Sequence, residues 1–470
     1  MRLAFTSLCL IFLGAFSLTT QAQSTTIENG EYQLPHHDPA HPCISDDQYA
    51  TIESRCARNI AALGLQNAGA QRSTAVPLAW PLRMANGLND AGYYIISAYV
   101  DQDIASGSIK DWNCGTNTYD GHRGTDICTF PYPFYKMDNN EVEVISAADG
   151  IIIDKNDGEF DKNCVHSSAQ ANYVVVQHTD GTYANYFHMK KNSITTKAIG
   201  AHVTVGEYLG VVGSSGDANG PHLHFEVRTA NNSSSYKDPY AGGCNSLNST
   251  SWWAAQKPYT EPSILKTQIG TTDPILAQCP NTETPNAITC MAPGSSARIY
   301  TFLRNETAGM HVDVHIIGPT GNEVTSWTQN STSDHYASIY GWARTMPTVQ
   351  GTYTLQTVYN GITNNTTFEI TSVQCATATG LEDAIAIPDL QVYPNPTNGK
   401  VTINGDGLDN GNYNITVRNT LGQTLLSDEV KIENNSIAQT VSLSQMPDGI
   451  YFLSIGNQGS TITRKIEKRN

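Results

Sequence analysis

The sequence predicts a mainly β chain of several small antiparallel domains, and three observations carry that expectation. At 470 residues it exceeds what one core ordinarily serves, so two to four domains are expected. Short runs rich in Val, Ile, Thr and Tyr recur along most of its length, separated by turn residues such as Thr179-Asp180-Gly181, Gly318-Pro319 and Gly321-Asn322. The one credible helical pattern lies near the N-terminus.

Residues 1–22 read as a cleaved signal peptide: Arg2, an apolar run from Leu8 to Leu18, then Thr20-Gln21-Ala22. No later stretch approaches the roughly 20 apolar residues of a spanning helix, so the mature chain is expected to be exported and to have no transmembrane segment. Residues 23–75 form a polar lead-in with one short helix. Ser45 and Gln48 fit a capping box, Tyr49, Ile52, Cys56 and Leu63 fall near one face, and Gly64 fits the stop. Three histidines before it, His36, His37 and His41, are expected to lie in disordered polar chain.

Residues 76–262 give β-rich runs broken by Gly and Asp. Tyr173 to His178 and Thr182 to His188 flank a turn and predict a β-hairpin, while Val203 to Val212 continue the pattern between Gly206, Gly210 and Gly213. Residues 273–375 carry strand-like runs at 297–303, 311–317, 351–359 and 366–371, whose spacing favours an immunoglobulin-like β-sandwich. A linker at 376–387 follows, then a strand-like segment, 388–470, clearest at 401–403, 413–417 and 451–455.

The formal net charge of -16 excludes a nucleic-acid partner, which needs clustered Lys and Arg, and gives no help in binding anionic cell walls. Without Cys9 the mature chain keeps an odd set of cysteines: Cys43, Cys56, Cys114, Cys128, Cys164, Cys244, Cys279, Cys290 and Cys375. In an oxidising compartment disulfides are the default, with at least one thiol left over. Cys56, about 15 Å along its helix at 1.5 Å per residue, is too far from Cys43 for a bridge. Cys114 and Cys128 flank a His-x-x-x-Asp element and are expected to staple that loop by disulfides, although Cys114, Cys128, Cys164 and Cys244 alone allow three pairings. Cys279 and Cys290 can pair locally, which would leave Cys375 as the odd thiol.

The chemistry concentrates in Gly220-Pro221-His222-Leu223-His224-Phe225-Glu226-Val227-Arg228. Strand side chains alternate, so His222, His224, Glu226 and Arg228 share one face, while Leu223, Phe225 and Val227 point to a core. Upstream, His122 and Asp126 can complete a metal centre. Catalytic zinc takes three protein ligands and keeps one position for water, whose pKa it lowers to about 7, and His122, Asp126 and His224 make a sensible set. His-Glu-x-x-His is absent, so His188 or His222 would accept the proton of the water and stabilise the oxyanion. His178, at the hairpin end, and His202, in a turn, are expected on the solvated surface, as are His311, Asp313 and His315 on one strand face.

Five blocks in order, Gly121-His122-Arg123-Gly124-Thr125-Asp126, Ser146-Ala147-Ala148-Asp149-Gly150, Tyr186-Phe187-His188-Met189, Gly206-Glu207-Tyr208-Leu209-Gly210 and the Gly220 to Arg228 run, resemble the lysostaphin-type (LytM-like) zinc metallopeptidases. The resemblance covers residues 121–228. It implies an antiparallel β-sheet peptidase domain with a groove over one zinc ion, His122, Asp126 and His224 as metal ligands, and His188 and His222 as catalytic residues. It also implies a secreted metalloendopeptidase acting on peptidoglycan. Two departures, the aromatic-rich segment 127–145 and the loop Ser214-Ser215-Gly216-Asp217-Ala218-Asn219, are expected to border the groove. Val392-Tyr393-Pro394-Asn395-Pro396-Thr397-Asn398-Gly399, with Gly449 to Leu453 and the basic finish at Lys465, Lys468 and Arg469, resembles the type A sorting domain of the type IX secretion system. That implies a small C-terminal β-sandwich, the secretion machinery as partner, and export past the outer membrane to the cell surface or medium. The competing readings are an endopeptidase acting on Gly-rich proteins and a non-catalytic surface or adhesion protein whose sandwich binds the partner.

Overall fold

The structure, a computed structural model, describes residues 43–66, 76–165, 167–276, 283–372, 391–406, 410–419, 424–432, 436–456 and 461–469. The expected signal peptide, the linker at 376–387, His36, His37, His41, Cys279 and Cys375 lie outside the described residues. The chain divides into two compact units, residues 1–375 and 376–470.

The first unit opens with α1 (Asp46–Leu63), whose ends follow the sequence signals. Ser45 and Gln48 form the reciprocal capping box, and Gly64 closes the helix at φ 70, a left-handed conformation that only glycine adopts freely. Eleven strands follow: β1 (Leu82–Met84), β2 (Tyr94–Ala98), β3 (Thr125–Thr129), β4 (Val142–Ile145), β5 (Gly150–Asn156), β6 (Tyr173–His178), β7 (Tyr183–Phe187), β8 (His202–Val203), β9 (Tyr208–Val211), β10 (His222–Arg228) and β11 (Tyr236–Lys237), with α2 (Pro133–Asp138) between β3 and β4. Eight of them build one antiparallel sheet in the order β2-β3-β10-β7-β6-β5-β8, with β11 on β10, and β1-β4-β9 make a smaller second sheet.

Both faces of the large sheet are covered, and the two-residue period of its strands assigns each side chain to a face. Val174 and Val176 on β6, with Ile127, Ile152, Leu223, Phe225 and Val227, enter one core together with Val142, Val144 and Leu209 of the small sheet. Tyr173 and Val175 face the other way and pack with Phe187 against Tyr49, Ile52, Cys56 and Ile60 of α1. Each such side chain contributes roughly 1.5–3 kcal/mol of burial, which is what docks the lead-in on the sheet. Ile60 takes the inner position expected of Leu63, which is exposed.

Ser263–Gly270 (β12) continues the chain directly into a sandwich of β13 (Cys290–Met291), β14 (Ser296–Glu306), β15 (His311–Ile317), β16 (Glu323–Asn330), β17 (His335–Thr345), β18 (Gly351–Tyr359) and β19 (Ile362–Ile370). A three-stranded sheet, β12-β14-β17, and a five-stranded sheet, β13-β19-β18-β15-β16, enclose a common core of Ile299, Leu303, Val314, Trp342, Leu355 and Phe368. His311 pairs with Asp313 and His315 with Glu323 on the solvent side, as expected of that strand face. The aromatic segment 127–145 corrects an expectation. Phe130 and Tyr132 do not border a groove but pack, with Ile95, against Leu265, Tyr300, Phe302 and Ile339 of the sandwich. Apolar rings there join two β layers, and the buried Tyr132 hydroxyl donates to Gln268 across the same contact.

In the second unit β20 (Gln391–Tyr393), β21 (Lys400–Asp406) and β24 (Ser436–Ser442) form one sheet, and β23 (Thr424–Ile432), β22 (Gly411–Asn419), β25 (Gly449–Gly456) and β26 (Thr461–Lys468) the other. Val401, Ile403, Ile415, Val417, Leu453 and Ile455 fill the space between.

Two further expectations are corrected. Cys114 is in a disulfide as expected, with Cys244, 130 residues away, but Cys128, also expected in one, is free and donates to Ser97. Cys164 and Cys290 are also in disulfides, and Cys43, Cys56 and Cys128 are the free thiols among the described residues. His178 is buried, because both faces of β6 are covered. Its Nδ1 pairs with the Thr182 hydroxyl, and burial pushes its pKa down to about 4, so it is neutral at ordinary pH. His202 is exposed, as expected. Replacing both Cys114 and Cys244 by serine is expected to destabilise the first unit by about 2–5 kcal/mol, given the long loop they close. Calorimetry of the full chain checks this, and an unshifted transition would refute it.

Candidate metal centre

Strand pairing assembles the centre. In β10, His224 lies opposite Asp126 of β3 on one side and Phe187 of β7 on the other. Asp126 therefore meets His224 directly, and His188, the residue after β7, arrives at the same level. His188 sits at φ 63, which turns its ring back toward β10. Gly124 explains the glycine between His122 and Asp126: a Cβ there would lie 2.5 Å from His224 Nε2 and 2.9 Å from the Phe225 carbonyl.

Three donors converge. Asp126 Oδ1 is 2.9 Å from His224 Nδ1 and 3.2 Å from His122 Nε2, and the two imidazole nitrogens are 3.2 Å apart. Four tetrahedral donors held at ~2.0–2.3 Å from one ion stand roughly 3.2–3.7 Å from one another, so this spacing fits a single zinc. The ring orientations are fixed from behind. His122 Nδ1 lies 2.6 Å from the Tyr99 carbonyl, which leaves Nε2 facing the centre. His224 presents Nδ1 to the centre and turns Nε2 toward Glu226, 3.6 Å away. Glu226 in turn accepts from Tyr49 Oη at 2.8 Å and pairs with Arg228 at 2.6 Å, so the polar face of β10 is one connected network.

His188 and His222 lie beside the donors, their rings 4.5 Å apart. Each pairs its Nδ1 with a backbone carbonyl, His188 with Ser215 at 2.7 Å and His222 with Gly220 at 2.9 Å, so each turns Nε2 inward. His222 Nε2 is 3.9 Å from Asp126. The loop 214–219 thus acts on the site by holding His188. All five residues anticipated from sequence come together, and all are buried.

The charges at the centre depend on one another. Burial alone would raise the Asp126 pKa, yet His122, His222 and His224 keep it well below the usual carboxylate range. Burial opposes charge on His122, but Asp126 lifts it to about 9, and His224 is likewise raised by Cys43 and Asp126. Protons on these imidazoles offset the buried anions. A divalent ion would replace them and neutralise the buried anions directly. His188 differs: burial, then repulsion from His222, lowers its pKa, so it is a neutral acceptor.

Sequence reasoning missed one residue at the centre, Cys43. Its Sγ is 3.2 Å from His224 Nδ1, and it accepts from Tyr119 Oη at 3.1 Å; Tyr119 Oη also lies 3.2 Å from Asp126 Oδ2. The donor atoms of Cys43, His122, Asp126 and His224 all lie within 4.8 Å of one another. A lone cysteine two residues before a helix cap carries no periodic signal that could join it to a strand 181 residues away.

Residues 121–237 match Peptidase family M23, and residues 391–469 match the Secretion system C-terminal sorting domain. Among curated proteins, the chain is 34% identical over 84 residues to an uncharacterized metalloprotease of Buchnera aphidicola subsp. Baizongia pistaciae, covering 18% of this chain and 19% of that protein. It is 27% identical over 112 residues to the peptidoglycan DD-endopeptidase ShyC of Vibrio cholerae, covering 24% and 21%. It is 30% identical over 108 residues to the cell division protein DipM of Caulobacter vibrioides, covering 23% and 17%. The chain therefore spans about a fifth of the length of these relatives. Among solved structures, the catalytic domain of lysostaphin from Staphylococcus simulans aligns at 20% identity and TM-score 0.20, over 30% of this chain and 85% of that one. A zinc-containing peptidase from Vibrio cholerae aligns at 23% identity and TM-score 0.22, over 35% and 39%.

Proposed function

We propose that this chain, whose segment 121–237 is an M23 peptidase domain and whose segment 391–469 is a secretion sorting domain, is an exported zinc metalloendopeptidase that cleaves peptide bonds of peptidoglycan. The observation that carries the reading is the convergence of His122 Nε2, Asp126 Oδ1 and His224 Nδ1 around one point, with two further inward-facing imidazoles beside it. Those three atoms would hold the metal. When bound there, zinc supplies a Lewis acid that polarises a carbonyl and makes water acidic enough to ionise near neutrality.

The other steps belong to this chain's residues. His188, kept neutral by burial and oriented by the Ser215 carbonyl, accepts the proton of the attacking water at Nε2 and returns it to the leaving amine. His222 gives its Nδ1–H to the Gly220 carbonyl, and against the effect of burial Asp126 raises its pKa, so as the imidazolium it presents Nε2–H to the substrate carbonyl and donates to the oxyanion as it forms. Burial of the whole set strengthens these interactions by excluding water. The peptidoglycan substrate rests on the names of the relatives, and export past the outer membrane by the type IX system rests on the sorting domain. No helix among the described residues is long and apolar enough to cross a membrane. Residues 76–262 are then the peptidase, 273–375 together with β12 before them a spacer, and 388–470 the sorting segment.

Purified peptidoglycan sacculi incubated with the full chain, and with its Cys43→Ala form in which the thiol no longer crowds the histidines, are expected to release fragments with new stem-peptide termini, read by mass spectrometry. Intact sacculi with both forms would overturn the assignment.

A further inference from the structure

Cys43 is not placed as an inert buried thiol is placed. Cys56, on the docked helix that follows it, sits in apolar contacts, and burial pushes its pKa to about 12. Cys43 instead lies among His122, His188, His222 and His224, its Sγ 3.2 Å from His224 Nδ1 and within 4.8 Å of the donor atoms of His122 and Asp126. Catalytic zinc needs that position for water, whereas four protein donors make a closed site, and thiolate is among the donors zinc prefers. We propose that Cys43 is the fourth protein ligand of the metal centre, so that residues 43–63 hold the peptidase in a latent state. The inference rests on the metallopeptidase reading above.

The lead-in is built to keep the thiol there. Its delivery depends on the capped α1, with Cys43 just ahead of the Ser45 cap, and α1 is tied to the sheet at both ends of its length. Arg123 pairs with Asp46 at 3.1 Å and Tyr49 Oη donates to Glu226, while Arg55 pairs with the buried Asp154 at 3.0 Å. Ile44, Ser45, Asp46 and Tyr49 also line the opening above His122 and His224, so the segment that supplies the ligand stands where substrate would enter. Displacing it frees both the coordination position and the groove, with no rearrangement of His122, Asp126 or His224, which β3 and the residues before it and β10 hold independently.

The test uses the full chain with Co(II) in place of zinc. The parent protein is expected to show a thiolate-to-cobalt charge-transfer band in the near ultraviolet. That band should vanish in Cys43→Ala and Cys43→Ser and persist in Cys56→Ala. X-ray absorption of the zinc form should find one sulfur neighbour in the parent and none in the Cys43 variants. Sacculus hydrolysis should rise at least about tenfold, the gain expected if less than a tenth of the parent is open, when Cys43→Ala is combined with Asp46→Ala and Tyr49→Ala, which cut the ties that hold residues 44–49 over the opening. One bound metal ion without a sulfur neighbour in the parent, or a band that survives in both Cys43 variants, would overturn the inference and leave the metallopeptidase reading standing. If neither parent nor variant binds metal, that underlying reading fails, and this one with it.

Discussion

Replacing His224 by alanine is expected to strip the protein of stoichiometric zinc and to lower peptide hydrolysis by about three orders of magnitude or more. His224 Nδ1 is the donor nearest to Asp126, and removing a direct ligand costs more than the roughly 10–100-fold loss in affinity that follows removal of an outer-shell partner. Asp126→Asn makes a cleaner companion, because it preserves shape while deleting the buried negative charge that three imidazoles surround. Both belong in the Cys43→Ala background, where no thiol competes for the ion. Elemental analysis should fall from one zinc per chain toward zero, with the far-ultraviolet spectrum unchanged because the strands are held by their apolar cores. Full zinc occupancy in either variant would show that the ion sits elsewhere.

The second large effect separates holding the metal from using it. In the same background, His188→Ala and His222→Ala are expected to retain one zinc while kcat drops about 10²–10⁴-fold, the range that general acid–base catalysis and oxyanion stabilisation supply. KM should change less than kcat, because both imidazoles act where charge develops during the reaction. The two variants should also differ in pH dependence. His188, whose pKa burial lowers, serves as acceptor only while neutral, so activity of the Cys43→Ala form falls as pH drops through the depressed pKa of His188. His188→Ala should abolish that acidic limb, while His222→Ala should keep it but move it to higher pH, because the repulsion that helps lower the His188 pKa is gone. Wild-type kcat in both would remove these histidines from the mechanism.

The sequence alone determined what depends on local pattern. Alternation in His222 to Arg228 separated the site face from the core face, and the structure places Leu223, Phe225 and Val227 in one cluster and His222, His224, Glu226 and Arg228 in another set of contacts. Ser45, Gln48 and Gly64 fixed both ends of α1, since capping is a matter of three or four neighbouring residues. The strands β16 and β17 were not foreseen. Most of β16 is solvated, and β17 mixes Ser, Gly and Ala with its aromatics, so neither shows the apolar alternation that marks a half-buried strand.

What only the tertiary structure decided are the relations between distant segments. Cys114 finds Cys244, the aromatic segment meets the sandwich rather than a groove, His178 is sealed beneath the sheet's cover, and Cys43 reaches His224. Periodicity reports which way a side chain points relative to its own strand or helix. It carries no record of which element will lie opposite, because that follows from how separate apolar faces pair to exclude water.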